Sequence, residues 1–321
     1  MNRHLPRTPM SLLVLAAVGG AVALSGCSVE DDAATGAAPA SSGSGSAEEI
    51  AVLPLDPELQ AAVPAAFTGR TLAFAVSEYS PYATYASDGS IEGLMPDLAT
   101  QLSSMLGVEI EMQKSTFDAV VPGIQSGRID LSGPAGDFVE RQANVTFADF
   151  AQSNVTVMVN TSAGFSPAAS LDMCGHSAGI EKGAGTQNVL DAVSTQCTEG
   201  GKEPVDIQTF NDLPAAALAL QSGRLESVVA PSASNEVASA NSGGTFETIE
   251  IEDMQSLPSA TAVYGIQTPK DSGLAEALVP ALQELYDQGT YQQLLDKWDL
   301  SLSAVTRDQI AVDGSTQTQA R

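Results

Sequence analysis

QSGRIDLSG, residues 125–133, has an echo 96 positions later in QSGRLESVV, residues 221–229. Both copies follow an Ala/Val/Leu-rich run and lead into a short apolar segment. Glycine adopts the left-handed backbone that closes a helix without a Cβ penalty, so each copy reads as a helix end, a Gly cap and then a strand. Four matching residues arise easily by chance. The shared helix–Gly–Arg–strand context is what makes the pair informative: one chain carries two similar α/β halves.

Working outward from the first copy, TLAFAV at 71–76 is a β run that ends in the turn-like SEYSPY at 77–82. SDGS at 87–90 reads as a tight turn. Pro96 sits where a helix starts, Leu98, Leu102, Met105 and Leu106 keep one face apolar, and Gly107 stops it. A strand at 108–112, a helix at 118–126 and a strand at 129–132 running into GPAG at 133–136 complete a βαβα order. That order favours a largely parallel sheet with right-handed crossovers. Around the second copy the pattern restarts: a strand at 178–180, the Gly-rich turn KGAGTQ, a helix at 188–194 and a strand at 205–208. Asn211 or Asp212 then caps an Ala/Leu-rich helix that Gly223 ends, and 225–230 is again a strand. In open α/β sheets ligands sit outside the carboxyl ends of the strands. Two such sheets facing each other make a cleft. Near the C-terminus, Leu274, Leu278, Leu282 and Leu285 line one helix face, and Tyr291, Leu294, Leu295 and Trp298 form another apolar stripe, read as core packing.

The first residues do not belong to that fold. Arg3 and Arg7 precede an apolar run at 11–24 that is short for a membrane helix, and Leu24-Ser25-Gly26-Cys27 follows. The tetrapeptide resembles a bacterial lipobox, with 1–26 a lipoprotein signal peptide and Cys27 the lipidated first residue; an ordinary signal peptide or an uncleaved anchor are the alternatives. From 27 to 66 the chain is mostly Ala, Ser, Gly, Pro and acid, including ATGAAPASSGSGSAEE at 34–49, and reads as a flexible tether.

The 321-residue chain has 13 Lys+Arg against 39 Asp+Glu, a net of −26; dropping residues 1–26, which hold two Arg and no acid, leaves 11 against 39, a net of −28. Such a surface repels nucleic acid and anionic headgroups, though acidity is also simply a route to solubility. With Cys27 set aside, Cys174 and Cys197 remain, an even pair that in an exported protein reads as one disulfide contributing roughly 3 kcal/mol; two free thiols are the alternative. Beyond His4 the only histidine is His176, so no His-rich or Cys–His metal site exists, and no P-loop, G-x-S-x-G or EF-hand motif is present. No cofactor is expected.

Four segments now carry a resemblance: GSIEGLMPDLATQLSSMLGVE at 89–109, FDAVVPGIQSGRIDLSG at 117–133, ERQANVTFADF at 140–150 and DQGTYQQLLDKWDL at 287–300. IEKGAGTQ at 180–187 and ALQSGRLESVV at 219–229 follow more loosely. The chain from about 68 to 300 resembles the solute-binding proteins of ABC importers, family 3, which bind polar amino acids. The resemblance implies a type II periplasmic-binding-protein-like α/β fold: two mixed sheets flanked by helices and joined by two hinge crossovers. Lobe 1 would take 68–158 plus 262–305, lobe 2 would take 159–261, and 306–321 would be a tail. It further implies a monomer that closes on its solute and hands it to ABC permease membrane subunits.

The resemblance also points to site residues. Arg141 matches the arginine that grips an α-carboxylate, which a guanidinium can do with two parallel hydrogen bonds. Tyr79 matches an aromatic that stacks on the ligand, Phe117 a second wall, and Tyr82 a neighbouring ring. Gly133, Pro134 and Gly136 would bring backbone groups close to the solute. Thr186 matches a hydroxyl donor, with Gly185 at a helix start where N–H groups attract a carboxylate.

Two departures stand out. The Asp that pairs with a ligand ammonium is replaced by Pro231, and the Thr expected before Arg141 is replaced by Phe138 or Asp137. A buried ammonium without a carboxylate partner is costly. Either Glu78, Asp137 or Glu181 supplies the acid, or the solute is not a standard α-amino acid. The competing functions are a ligand-binding sensor module working with a membrane partner, and a cyclohexadienyl dehydratase-like enzyme using Glu78 or Glu181 as general acid.

Overall fold

The computed structural model describes residues 50–315. The expected signal peptide, Cys27 and the first part of the tether lie outside them. The first half runs α1 (Pro57–Ala62), β1 (Thr71–Val76), the hairpin β2 (Thr84–Tyr85) and β3 (Ile91–Glu92), α2 (Leu94–Leu106), β4 (Glu109–Lys114), α3 (Phe117–Gln125), β5 (Leu131–Gly136) and α4 (Val139–Gln142). The long β6 (Val145–Asn160) leads into β7 (Ser177–Glu181), α5 (Thr186–Glu199), β8 (Asp206–Phe210), α6 (Leu213–Gln221), β9 (Ser227–Pro231), α7 (Ser232–Asn241) and β10 (Phe246–Ile249). β11 (Thr261–Pro269), α8 (Leu274–Asp287) and α9 (Thr290–Lys297) return to the first half.

The repeat read from QSGR is a topological one. Gly127 and Gly223 both take left-handed backbone, at φ 70° and 73°, and each ends a helix before a strand. Those strands, β5 and β9, hold equivalent places. β5 pairs parallel with β1, which pairs parallel with β4; β9 pairs parallel with β7, which pairs parallel with β8. On its other side each meets an antiparallel partner, β11 for β5 and β6 for β9. β6 serves both halves: residues 145–154 pair with β11, and residues 155–159 with β9. The result is one hydrogen-bonded path, β4-β1-β5-β11-β6-β9-β7-β8, with β10 on the far stretch of β6.

Helices cover the faces, as a parallel sheet buried on both sides requires. α2 turns Leu98, Leu102, Met105 and Leu106 inward against β1, α8 and α9, and Gly107, at φ 62°, caps it as expected. In the second half α5 packs Val189, Leu190 and Val193 on one face of the sheet, while Ala216, Ala219 and Leu220 of α6 cover the other. Asp212, not Asn211, caps α6, accepting from the Ala215 N–H at 2.8 Å. Cys174 and Cys197 are disulfide-bonded, Cα–Cα 5.6 Å, pinning the turn before β7 to the last turns of α5.

Two sequence expectations need correction. The tether does not extend to residue 66: Asp56 caps α1, the Leu53 N–H donates to Gln101 Oε1, and Val63 and Phe67 are buried. Periodicity missed this stretch because six helical residues carry too few turns to show one. Nor is 306–315 a loose tail, since Ile310 is fully buried and Val312 bridges to Ala148 of β6.

Candidate functional site

The carboxyl ends of β1, β5, β7 and β9 converge on one cleft, closed on the remaining side by the crossover segments of β6 and β11. Tyr79, Phe117, Pro134, Gly136, Arg141, Gly185, Thr186 and Pro231 all line it. Four expected residues do not. Tyr82 is fully buried behind Tyr79, their ring centres 5.0 Å apart, so it supports the wall from the core. Gly133 backs onto the β11 backbone, where a Cβ would lie 3.2 Å from the Gly265 carbonyl oxygen. Glu78 does not line the cleft, and Asp137 is engaged elsewhere: its oxygens accept from Gln142 Nε2 and the Ser315 N–H.

Arg141 spans the cleft. One terminal nitrogen donates to the Gly136 carbonyl at 2.9 Å, the other to the Gly183 carbonyl at 3.0 Å in the β7–α5 turn. Its guanidinium lies over the rings of Phe138 (4.8 Å) and Phe117 (5.2 Å). Burial presses its pKa below the ordinary arginine value, but a guanidinium remains charged at any relevant pH. Further links cross the same gap: Lys182 Nζ to Asp118 at 2.7 Å, and Ser234 Oγ to the Ser80 carbonyl at 2.8 Å.

Two buried polar atoms on the wall have no partner, Thr186 Oγ1 and Glu181 Oε1. Thr186 opens α5, a 14-residue helix whose dipole favours an anion at this end. Glu181 ends β7 and is 6% exposed. Burial, then the charge of Asp212, pushes its carboxyl up to about 8, with Ser77 and Arg141 pulling the other way. A buried polar atom left unsatisfied costs about 1–3 kcal/mol, so both atoms call for a complementary group. Of the three acids named from the sequence, Glu181 alone lines the cleft.

Sequence reasoning missed two walls. Phe138 fills the space between the halves: a Cβ at Gly136 would come within 2.8 Å of its ring and one at Gly185 within 2.5 Å, so both glycines are needed for its seat. Tyr264 of β11 shares a 3.1 Å hydroxyl contact with Tyr79. Nothing local marks a strand tyrosine 185 residues away as a neighbour. Among the described residues no group of His, Cys, Asp or Glu could hold a metal ion, and none of their helices is long and apolar enough to cross a membrane.

The sequence profile of the bacterial extracellular solute-binding proteins, family 3, matches residues 72–301. An arginine-binding protein, ArgT of Corynebacterium glutamicum, is 32% identical over 250 residues, 76% of this chain and 79% of that one. A solved ancestral arginine-binding protein bound to glutamine superposes with TM-score 0.63 at 25% identity, over 72% of this chain and 98% of the other. The arginine-, lysine-, histidine-binding protein ArtJ of Geobacillus stearothermophilus, at 20% identity and TM-score 0.64, covers 75% of this chain and 99% of its own and shares the fold.

Proposed function

Because the chain belongs to the bacterial extracellular solute-binding proteins of family 3, we propose that its cleft captures a free amino acid between two lobes that swing shut. The lobes are taken as 68–158 plus 262–305 and 159–261, with 306–315 packed on the first and the β6 and β11 crossovers between them. The observation carrying this reading is the pair of unsatisfied atoms on one wall. Thr186 Oγ1 and the α5 N-terminus, with Arg141, form a carboxylate grip, while Glu181 Oε1 stands ready for an ammonium. Tyr79, Phe117 and Phe138 supply apolar faces for a side chain.

Glu181 thereby takes the role left vacant by Pro231, so a standard α-amino acid remains compatible with the site. The names of the relatives make L-arginine the first solute to try. Handing the solute to an ABC permease, working as a monomer and anchorage through lipid on Cys27 at the outer membrane face complete the proposal. A membrane fraction that loses the protein on Cys27→Ser tests the anchor.

Calorimetric titration with L-arginine, L-histidine, L-glutamine and simple carboxylic acids tests the binding. One-to-one binding of an amino acid without product is expected. Binding only of acids lacking an amino group, or turnover of the solute, overturns the reading; turnover would point to the enzyme alternative.

A further inference from the structure

We propose that the C-terminal segment 306–315 is a working part of the ligand site, a strap that holds Asp137 and Gln142 and thereby fixes the guanidinium of Arg141. The inference rests on Arg141 being the carboxylate grip proposed above. The strap lies beyond residue 301, where the match to the family profile ends.

The strap is seated by a run of specific bonds along β6. The Ile310 carbonyl accepts from Gln283 Nε2 of α8. The Asp149 N–H donates to the Ala311 carbonyl at 2.9 Å and the Asp313 N–H to the Phe147 carbonyl at 3.1 Å. The Phe147 N–H returns a bond to Asp313 Oδ1 at 2.8 Å. The Gly314 N–H then donates to Asp149 Oδ2 at 2.7 Å. The carboxyl of Asp149 is fully buried and slotted between two glycines, since a Cβ at Gly265 would lie 2.5 Å from Oδ1 and one at Gly314 2.7 Å from Oδ2. No side chain larger than hydrogen fits either place without movement.

From there the strap reaches the binding loop. The Ser315 N–H donates to Asp137 Oδ2 at 3.0 Å, and Gln142 Nε2 donates both to Ser315 Oγ at 2.9 Å and to Asp137 Oδ1 at 2.7 Å. Asp137 directly follows Gly136, whose carbonyl holds one nitrogen of Arg141, and Gln142 directly follows Arg141. α4 is a single turn of four residues, too short to hold its own geometry. The strap fixes both of its flanks. Asp137, Gln142, Gly314 and Ser315 are therefore positioning residues, since none of them lines the cleft beside Arg141.

Hydrogen exchange at 137–144, against a reference peptide at 177–181, tests this without any ligand. The variants are a chain ending at Ile310, which keeps that core residue, and full-length Gly314→Ala, which forces the strap off Asp149. Exchange at 137–144 should rise about 10-fold or more in both while 177–181 stays within about 2-fold, the signature of local opening. Unchanged protection at 137–144, or an equal loss in both peptides, overturns the proposal. If the shortened chain does not fold, Gly314→Ala decides alone. A parallel titration with L-arginine should show weaker binding in Gly314→Ala; failure of the wild-type protein to bind any amino acid sinks the proposed function but leaves the exchange result readable.

Discussion

As the proposed partner of the solute's ammonium, Glu181 should make solute binding a proton-releasing event. With its carboxyl pushed up to about 8 by burial, about nine in ten molecules carry the proton at pH 7. A bound ammonium stabilises the ionised form, because an opposite charge within a few ångströms favours it. Roughly 0.9 proton should therefore leave per solute bound at pH 7, by linkage. The same arithmetic makes the apparent affinity about 5-fold tighter at pH 8 than at pH 7, and about 50-fold tighter than at pH 6. Calorimetric titration in phosphate and in Tris reads the effect directly, since the two buffers absorb protons with very different heats. The observed enthalpy should differ between them in wild type and agree in Glu181→Gln, which also loses the pH dependence. Equal heats in both buffers for the wild-type protein, with Glu181→Gln binding as tightly at every pH, would remove Glu181 from the solute's ammonium.

Arg141→Ala should weaken a carboxylate-bearing solute on the order of 30-fold or more, the loss of about 2 kcal/mol for a charged hydrogen bond, with little change in Tm; calorimetry and a melt check both. Reducing Cys174–Cys197, which closes a loop with sequence separation 23, should cost about 3 kcal/mol and appear as a lower Tm in reductant. Stability should also fall as pH rises from about 5 to 8. Asp149 is pushed up to about 8 by burial and then by the charge of Asp137, with Asp313 adding to it and the Gly314 N–H opposing. Around that cluster, Asp313 also faces Lys270 and Glu276. An acid whose folded pKa is raised holds its proton longer folded than unfolded, so stability is greatest below the unfolded value and is lost on the way to the folded one. Carboxylates held low, such as Asp118 beside Lys182 and Thr116, act only below that window. Denaturant melts of wild type and Asp149→Asn at pH 5.5 and 8 test it: the variant should lose much of the slope, and an unchanged slope refutes the assignment.

Much of the fold was legible because local rules govern it. Gly107, Gly127 and Gly223 end helices for want of a Cβ, and the 3.6-residue spacing of leucines in α2 and α8 marks the buried faces. The two QSGR copies announced equivalent strands, and β5 and β9 hold equivalent places in the sheet. Arg141, Thr186 and Tyr79 were marked by the resemblance to the family and not by a local rule; they line the cleft because they follow β5, β7 and β1, whose carboxyl ends converge. Phe138, Tyr264 and the strap were not legible, because each acts through a partner far along the chain: Phe138 against Gly185, Tyr264 against Tyr79, Ser315 against Asp137.

By itself, the order of residues set the alternation of strands and helices and the glycine caps that end the helices, since these depend on neighbours a few positions apart. Which acid faces the cleft was decided only in three dimensions. Glu78, Asp137 and Glu181 are alike as carboxylates, but packing engages Asp137 with Gln142 and Ser315, leaves Glu78 off the wall and buries Glu181 with one oxygen unpaired. A carboxyl group's role follows from how much water and which partners surround it, and that is a property of the folded chain.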